Sequence, residues 1–177
     1  MKAISLMYHD IVNSKNDLAS SGFVSPDANH YKVYSTDFTK HIEQIYLDSK
    51  YISTVFSESD TSTTPIYLTF DDGGKSAISD ALKILNRHNA KGHFFITTSM
   101  IGNKNFLSEE DIIQLDKEGH IIGSHSHTHP EKISSLPSKE IESEWSESIQ
   151  ILQRILNKEV TTASIPGGFF SNDVVKY

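Results

Sequence analysis

The sequence predicts an α/β protein whose parallel sheet is covered on both faces, either open or closed into a barrel. Three observations lead there. Short apolar runs that read as buried strands alternate along the chain with segments of helical periodicity. The length, 177 residues, suits a single domain over 1–177 able to bury about 70% of its unfolded surface. No stretch approaches the roughly 20 apolar residues that a membrane-spanning helix needs.

Taken in order, Ala3–Tyr8 is the first apolar run. A polar segment, Ile11–Tyr34, follows; it is too long for an ordinary connection, and such loops are functional or disordered. Phe38, Ile42, Ile45 and Tyr46 then fall on one helical face. Ser53–Thr64, rich in Ser and Thr, reads as a surface loop before the strand Ile66–Phe70. Ala77, Ile78, Ala81, Leu82 and Leu85 form a second helical stripe that ends near Asn89. After the strand His93–Thr97, Ser108-Glu109-Glu110-Asp111 has the form of a capping box, and Gly119 is a natural stop for that helix. His120–Gly123 is the next strand. Ile141, Trp145, Ile149, Leu152 and Leu156 mark the longest helix, and Thr161–Ile165 reads as a last strand.

Composition removes several functions. With 16 basic and 23 acidic residues the net charge is −7, and no basic stripe offers itself to a phosphate backbone, so no nucleic-acid partner is expected. The absence of cysteine excludes disulfides, thiolate zinc sites and cysteine nucleophiles together. The N-terminus lacks the apolar core and small-residue cleavage site of a signal peptide. As written the chain reads as cytosolic; a fragment of a longer secreted protein would read the same.

Parallel α/β folds gather functional residues at the C-terminal ends of their strands. Asp71 and Asp72 stand there, in Thr69-Phe70-Asp71-Asp72-Gly73-Gly74. Asp-Asp-Gly alone is ordinary turn chemistry. Yet adjacent side chains leave a strand end in different directions, so one carboxylate can hold a cation while its neighbour faces a substrate. Gly123-Ser124-His125-Ser126-His127-Thr128-His129 also follows an apolar strand. His125 and His129 share one side of a helical turn, whereas His127 offers a different pairing if the backbone is extended. With nine histidines in the chain, about half of one such i, i+4 pair arises by chance. Two imidazoles and one carboxylate would leave a fourth position open, as in a catalytic metal site. In Ser164-Ile165-Pro166-Gly167-Gly168-Phe169-Phe170 the glycines admit a ligand close to the backbone and the aromatics could line a sugar-sized groove; a loop with two core phenylalanines fits equally well. His9 ends the first apolar run, and Asp10 beside it is placed to raise its pKa if the two side chains face each other.

These segments, in this order, resemble the polysaccharide deacetylase family, the NodB-homology or carbohydrate esterase family 4 domain. Thr69-Phe70-Asp71-Asp72-Gly73 is similar to its first motif and His125-Ser126-His127-Thr128-His129 to its second. Ala90-Lys91-Gly92-His93-Phe94-Phe95-Ile96 resembles an intervening strand. The resemblance implies a distorted (β/α) barrel of about seven strands, incomplete at its C-terminus here. It also implies metal-dependent removal of N-acetyl groups from amino sugars of a poly- or oligosaccharide. On that footing Asp71 is the catalytic base, and Asp72, His125 and His129 hold a divalent metal, most often Zn2+. His127 falls on a variable position. Pro166, Gly167, Gly168 and Phe169 would contact the N-acetylated glycan, and an amide of that loop would help to stabilise the oxyanion.

Two departures stand out. The family's third motif carries an arginine that orients the base; here that register holds Ser164, which has neither the charge nor the planar fork of arginine. The chain also stops at Tyr177, before the family's last motifs, one of which supplies a histidine acid. Leu6-Met7-Tyr8-His9 resembles the N-terminal Tyr-His of the biofilm poly-N-acetylglucosamine deacetylases, which makes His9 the candidate acid. The competing expectation is a catalytically degenerate module of the same fold that binds glycan or is merely stabilised by metal. A deacylase for small non-sugar amides is a third.

Overall fold

The computed structural model describes residues 3–47, 51–53 and 64–177. In chain order the strands are β1 (Ile4–Tyr8), β2 (Ile11–Val12), β3 (Val33–Tyr34), β4 (Tyr51–Ser53), β5 (Thr64–Phe70), β6 (Gly92–Ile96) and β7 (Ile121–Ser124). The α-helices are α1 (Pro26–Asn29), α2 (Ser35–Leu47), α3 (Leu82–Arg87), α4 (Glu109–Lys117) and α5 (Ser138–Leu156). A turn of π-helix, Ala77–Ala81, leads into α3. Residues 54–63, most of the loop expected over Ser53–Thr64, lie outside the described residues.

The main sheet is parallel throughout, in the order β1-β5-β6-β7, with β4 also pairing with β5. Among the described residues the barrel is an open arc of five strands. Ile66, Leu68 and Phe70 of β5 turn one face inward, and with Phe94, Leu85, Leu115 and Leu152 they form the main core. Phe70 stacks on Phe94 at 4.7 Å between ring centroids. The other face, with Ser5, Tyr67, Thr69, His93 and Phe95, borders a cavity of about 330 Å³. Among the described residues no helix is long and apolar enough to cross a membrane.

Helix starts and stops are as local chemistry dictates. Ser108 and Asp111 close the expected capping box at α4, and Gly119 adopts φ +83° just after it. Burial on α2 falls on Phe38, Ile42 and Ile45, while Tyr46 faces solvent.

Two expectations need correction. The buried stripe of α5 is Ile141, Trp145, Ser148, Leu152 and Ile155, displaced from the predicted Ile149 and Leu156, which are half-buried. The reason lies under β7, where the buried Ser124 hydroxyl donates to Ser148 Oγ at 2.7 Å and rotates that face inward. Thr161–Ile165 forms no strand; Ala163 alone makes a parallel bridge to Ser124. Of the two alternatives for the polar segment Ile11–Tyr34, functional or disordered, it is not disordered: it is folded back as an ordered arm, closed by the parallel pairing of β2 with β3.

A buried ion pair stakes that arm. The Asp10 carboxylate, 3% exposed, accepts from Ser21 Oγ at 2.5 Å and Ser76 Oγ at 2.8 Å, and lies 3.7 Å from Lys32 Nζ. Lys32 Nζ in turn donates to the Leu18 and Ser21 carbonyls. A Cβ at Gly22 or Gly74 would collide with the Asp10 carboxylate, so both positions need glycine for this packing. Asp10 therefore ties the end of β1 to the turn after Asp72. It faces the arm and the Ser76 hydroxyl, so the condition for its serving His9, that the two side chains face each other, is not met.

Candidate metal centre and active site

Because the strands are parallel, their C-terminal ends share one rim. The residues that follow β1, β5, β6 and β7 are His9, Asp71, Thr97 and His125. This is why motifs far apart in sequence meet.

At the end of β5 the Asp71 amide donates to the Tyr8 carbonyl at 2.9 Å, prolonging the ladder with β1. The chain then turns through two left-handed residues, Asp72 at φ 72° and Gly73 at φ 81°. The turn is held by the Gly73 amide on the Asp71 carbonyl and the Leu107 amide on the Gly73 carbonyl. The two carboxylates make different contacts, although Asp71 Oδ2 also comes within 4.0 Å of His125 Nε2. Asp71 Oδ2 accepts from Ser164 Oγ at 3.0 Å, while Asp72 Oδ1 faces two imidazoles.

His125 is fixed at β7 by its amide on the Ile96 carbonyl. His129 reaches the same point by a route other than the expected helical turn. Residues 125–129 are non-helical, with Ser126 at φ 62° and His129 at φ 57°. The Ser126 amide donates to Ser124 Oγ, and the His129 amide to Ser126 Oγ, each at 3.1 Å. Left-handed backbone at a non-glycine residue costs energy and persists only where the surroundings enforce it. Here buried serines enforce it.

Asp72 Oδ1 lies 3.4 Å from both His125 Nε2 and His129 Nε2, and the three ligand atoms sit within 4.8 Å of one another. His127 is outside this group: its Nδ1 lies 2.9 Å from Thr98 Oγ1 and its Nε2 3.5 Å from Glu147. The alternative pairing through His127 is thus removed. His125 Nδ1 donates to the Ser164 carbonyl at 3.0 Å, which leaves Nε2 with its lone pair toward Asp72.

The donor set fits a divalent cation. Asp72 Oδ1 is buried and makes no hydrogen bond, an expensive state for a carboxylate oxygen unless a cation meets it. Tetrahedral bonds of about 2.0–2.1 Å put neighbouring ligand atoms about 3.3–3.4 Å apart, the spacing seen twice here.

Electrostatics separate the two carboxylates. Burial raises the pKa of Asp71 above the usual carboxylate range, against the opposing pull of His125, His9 and the Ser164 hydroxyl. Burial acts on Asp72 too, but its closer contact with His125, together with His9 and His129, wins and holds it below that range. His125 is pushed down by burial and more strongly up by Asp72 and Asp71, so its net shift is upward.

His9 is half-buried, and its charge reaches Asp71, Asp72 and His129. Its ring lies 5.0 Å from that of Tyr31 on the arm, and Phe23 of the same arm lies 5.2 Å from His129. The arm therefore walls the site, a role the sequence marked only by its length. Pro166–Gly168 is a 3-10 turn beside Glu131 and Lys132, with Phe169 exposed under Lys132 Nζ at 5.6 Å. The Gly168 and Phe169 amides close this turn onto the Ile165 and Pro166 carbonyls, so neither is free to meet an oxyanion. Ser164, which had no role assigned from sequence, touches both Asp71 and His125; its place in the third-motif register was the only signal.

A family model described as polysaccharide deacetylase matches residues 58–177. The chain is 31% identical over 118 residues to the peptidoglycan-N-acetylmuramic acid deacetylase PdaA of Bacillus subtilis strain 168, a match covering 66% of this chain and 43% of that protein. It is 32% identical over 123 residues to the peptidoglycan-N-acetylglucosamine deacetylase PgdA of Listeria monocytogenes serotype 1/2a strain 10403S, covering 69% of this chain and 25% of that one. The chain thus spans less than half the length of either relative. In fold it is similar to the Streptococcus pyogenes deacetylase PplD, solved in complex with acetate, with a TM-score of 0.81 at 18% identity over 99% of this chain and 78% of that one.

Proposed function

The chain belongs to the polysaccharide deacetylase family, and on that premise we propose that it is a metal-dependent hydrolase that removes N-acetyl groups from the amino sugars of a poly- or oligosaccharide. The observation that carries this is the pairing of a candidate three-ligand cluster, Asp72, His125 and His129, with a second buried carboxylate, Asp71, that stands beside the cluster and outside it. A pure glycan binder or a metal-stapled scaffold has no use for that extra carboxylate, whose burial costs stability.

A divalent cation on these ligands, zinc by the donor chemistry, supplies Lewis acidity toward water and the amide carbonyl. The remaining work falls to the chain. Asp71 is the base: Oδ2 accepts from the Ser164 hydroxyl and lies 4.0 Å from His125 Nε2, so the carboxylate stands beside the ligand cluster and takes the proton of the attacking water. As the carbon–oxygen bond forms and the carbon–nitrogen bond breaks, the departing amine needs a proton. His9, from the rim position beside the two carboxylates, supplies it, and acetate and a free amino sugar result. The arm carrying Phe23 and Tyr31 and the exposed ring of Phe169 limit where a sugar can lie.

Acetate release from chitooligosaccharides and from β-1,6-linked N-acetylglucosamine oligomers, with and without chelator, tests the proposal. Release that chelator abolishes and added zinc restores is the expected result. Tight binding of these oligomers with no release by the metal-loaded protein would instead establish the non-catalytic module.

A further inference from the structure

Ser164 occupies a singular position. Its hydroxyl donates to Asp71 Oδ2 at 3.0 Å, and its backbone carbonyl accepts from His125 Nδ1 at 3.0 Å. One residue therefore contacts both the unligated carboxylate and a member of the ligand cluster, through chemically separate atoms.

The residue stands on a rigid base. The Ser164 amide donates to the Ser124 carbonyl and the Ser124 amide to the Thr162 carbonyl, each at 2.9 Å. Ser124 is fully buried and bonded through its hydroxyl to Ser148 of α5. Groups that hold ligands and bases in place work only when their own positions are locked by packing and hydrogen bonds.

We propose that Ser164 is the positioning residue of this site. Its hydroxyl fixes the rotamer of the Asp71 carboxylate, whose Oδ2 lies 4.0 Å from His125 Nε2, and its carbonyl separately fixes His125 so that Nε2 faces Asp72. The inference rests on the deacetylase reading for its kinetic consequence and on the hydrogen bonds alone for its structural one. A hydroxyl is sufficient for the task because one hydrogen bond of defined direction holds a buried carboxylate in one rotamer. The longer, charged fork of arginine is not required for that.

The two contacts predict a separation of effects. Ser164→Ala deletes the hydroxyl and keeps the carbonyl. Metal stoichiometry by elemental analysis and the melting temperature should match the parent protein, and KM should stay unchanged. kcat should fall by about 10–100-fold, the usual cost of removing such a supporting group. Ser164→Thr retains the hydroxyl and should recover most of that loss. Crystal structures of the parent and the Ala variant provide a readout apart from turnover: Asp71 should hold one rotamer in the parent and leave it in the variant. Unchanged kcat together with an unmoved Asp71 overturns the inference. Loss of metal with Ser164→Ala overturns it as well, since the hydroxyl would then serve the ligands. If the parent protein releases no acetate, the deacetylase reading falls, and the Asp71 rotamer still decides the role of Ser164.

Discussion

Two histidines bracket the four-residue strand β7, His120 before it and His125 after it, and both are 2% exposed. Their surroundings shift their pKa values in opposite directions. At the N-terminal end His120 accepts the Gly92 amide at Nδ1 and meets the Phe94 ring edge-on at 5.3 Å. Burial, helped by the Lys91 cation, brings its pKa down to about 4. At the C-terminal end burial acts on His125 with the same sign, yet Asp72 and Asp71 outweigh it. Burial alone makes a histidine a neutral core residue; burial beside carboxylates makes it part of a site where a cation, proton or metal is wanted. The parallel sheet decides which end is which, because the carboxylates leave β5 on the same rim as His125.

The sharpest way to break this contrast is to remove the carboxylate that distinguishes the two ends. Asp72→Ala should abolish stoichiometric metal binding and with it turnover; one zinc per chain in that variant, by elemental analysis, would mean that the rim is no metal centre. Asp71→Asn separates base from ligand: metal should remain, and kcat should fall by about 10²–10⁴-fold, the range for a general base. His9→Ala should cost a comparable or smaller factor, and an unchanged rate would move the acid elsewhere.

The opposite end of β7 answers to pH. The folded-state pKa of His120, about 4, lies below its unfolded value of 6.5, so the unfolded chain binds the extra proton first as pH falls. The stability that neutral His120 confers is whole above pH 6.5 and is lost as pH falls toward 4, a total of about 3 kcal/mol. Denaturant titrations across that window should show the slope, and His120→Asn, which keeps an acceptor for the Gly92 amide, should flatten it. The smallest effect concerns the floor beneath the site. Ser148→Ala removes the buried partner of Ser124 and should lower stability by about 1 kcal/mol with turnover little changed, measured by the same titration.

Much of the site was legible because its chemistry is concentrated in short segments. Asp71-Asp72-Gly73 and the His125–His129 spacing identify themselves by residue type and by position after apolar runs. The reason offered for the histidine pair was nevertheless wrong. A helical turn would bring positions 125 and 129 together, but left-handed Ser126 and His129 do so instead, and no local pattern distinguishes the two routes. Adjacency to His9 does not decide the partner of Asp10 for a related reason: the carboxylate turns toward Ser21, Ser76 and Lys32, residues 11, 66 and 22 positions away. The α5 stripe was displaced because Ser148, a polar residue, is buried through a partner on β7 that periodicity does not register.

By itself the sequence determined the alternation of strands and helices, the caps that bound them, and the presence of two acidic and two imidazole side chains at strand ends. Those are local properties, set by propensity, spacing and composition. Only the tertiary structure decided which atoms meet: that Asp72 Oδ1 faces both imidazoles while Asp71 faces Ser164, that His127 stays outside, and that the arm closes over His9. Such choices depend on contacts between segments tens of residues apart. Their outcome is fixed by the parallel register of the sheet and by buried polar groups that must each find a partner, a condition that exists only once the chain has folded.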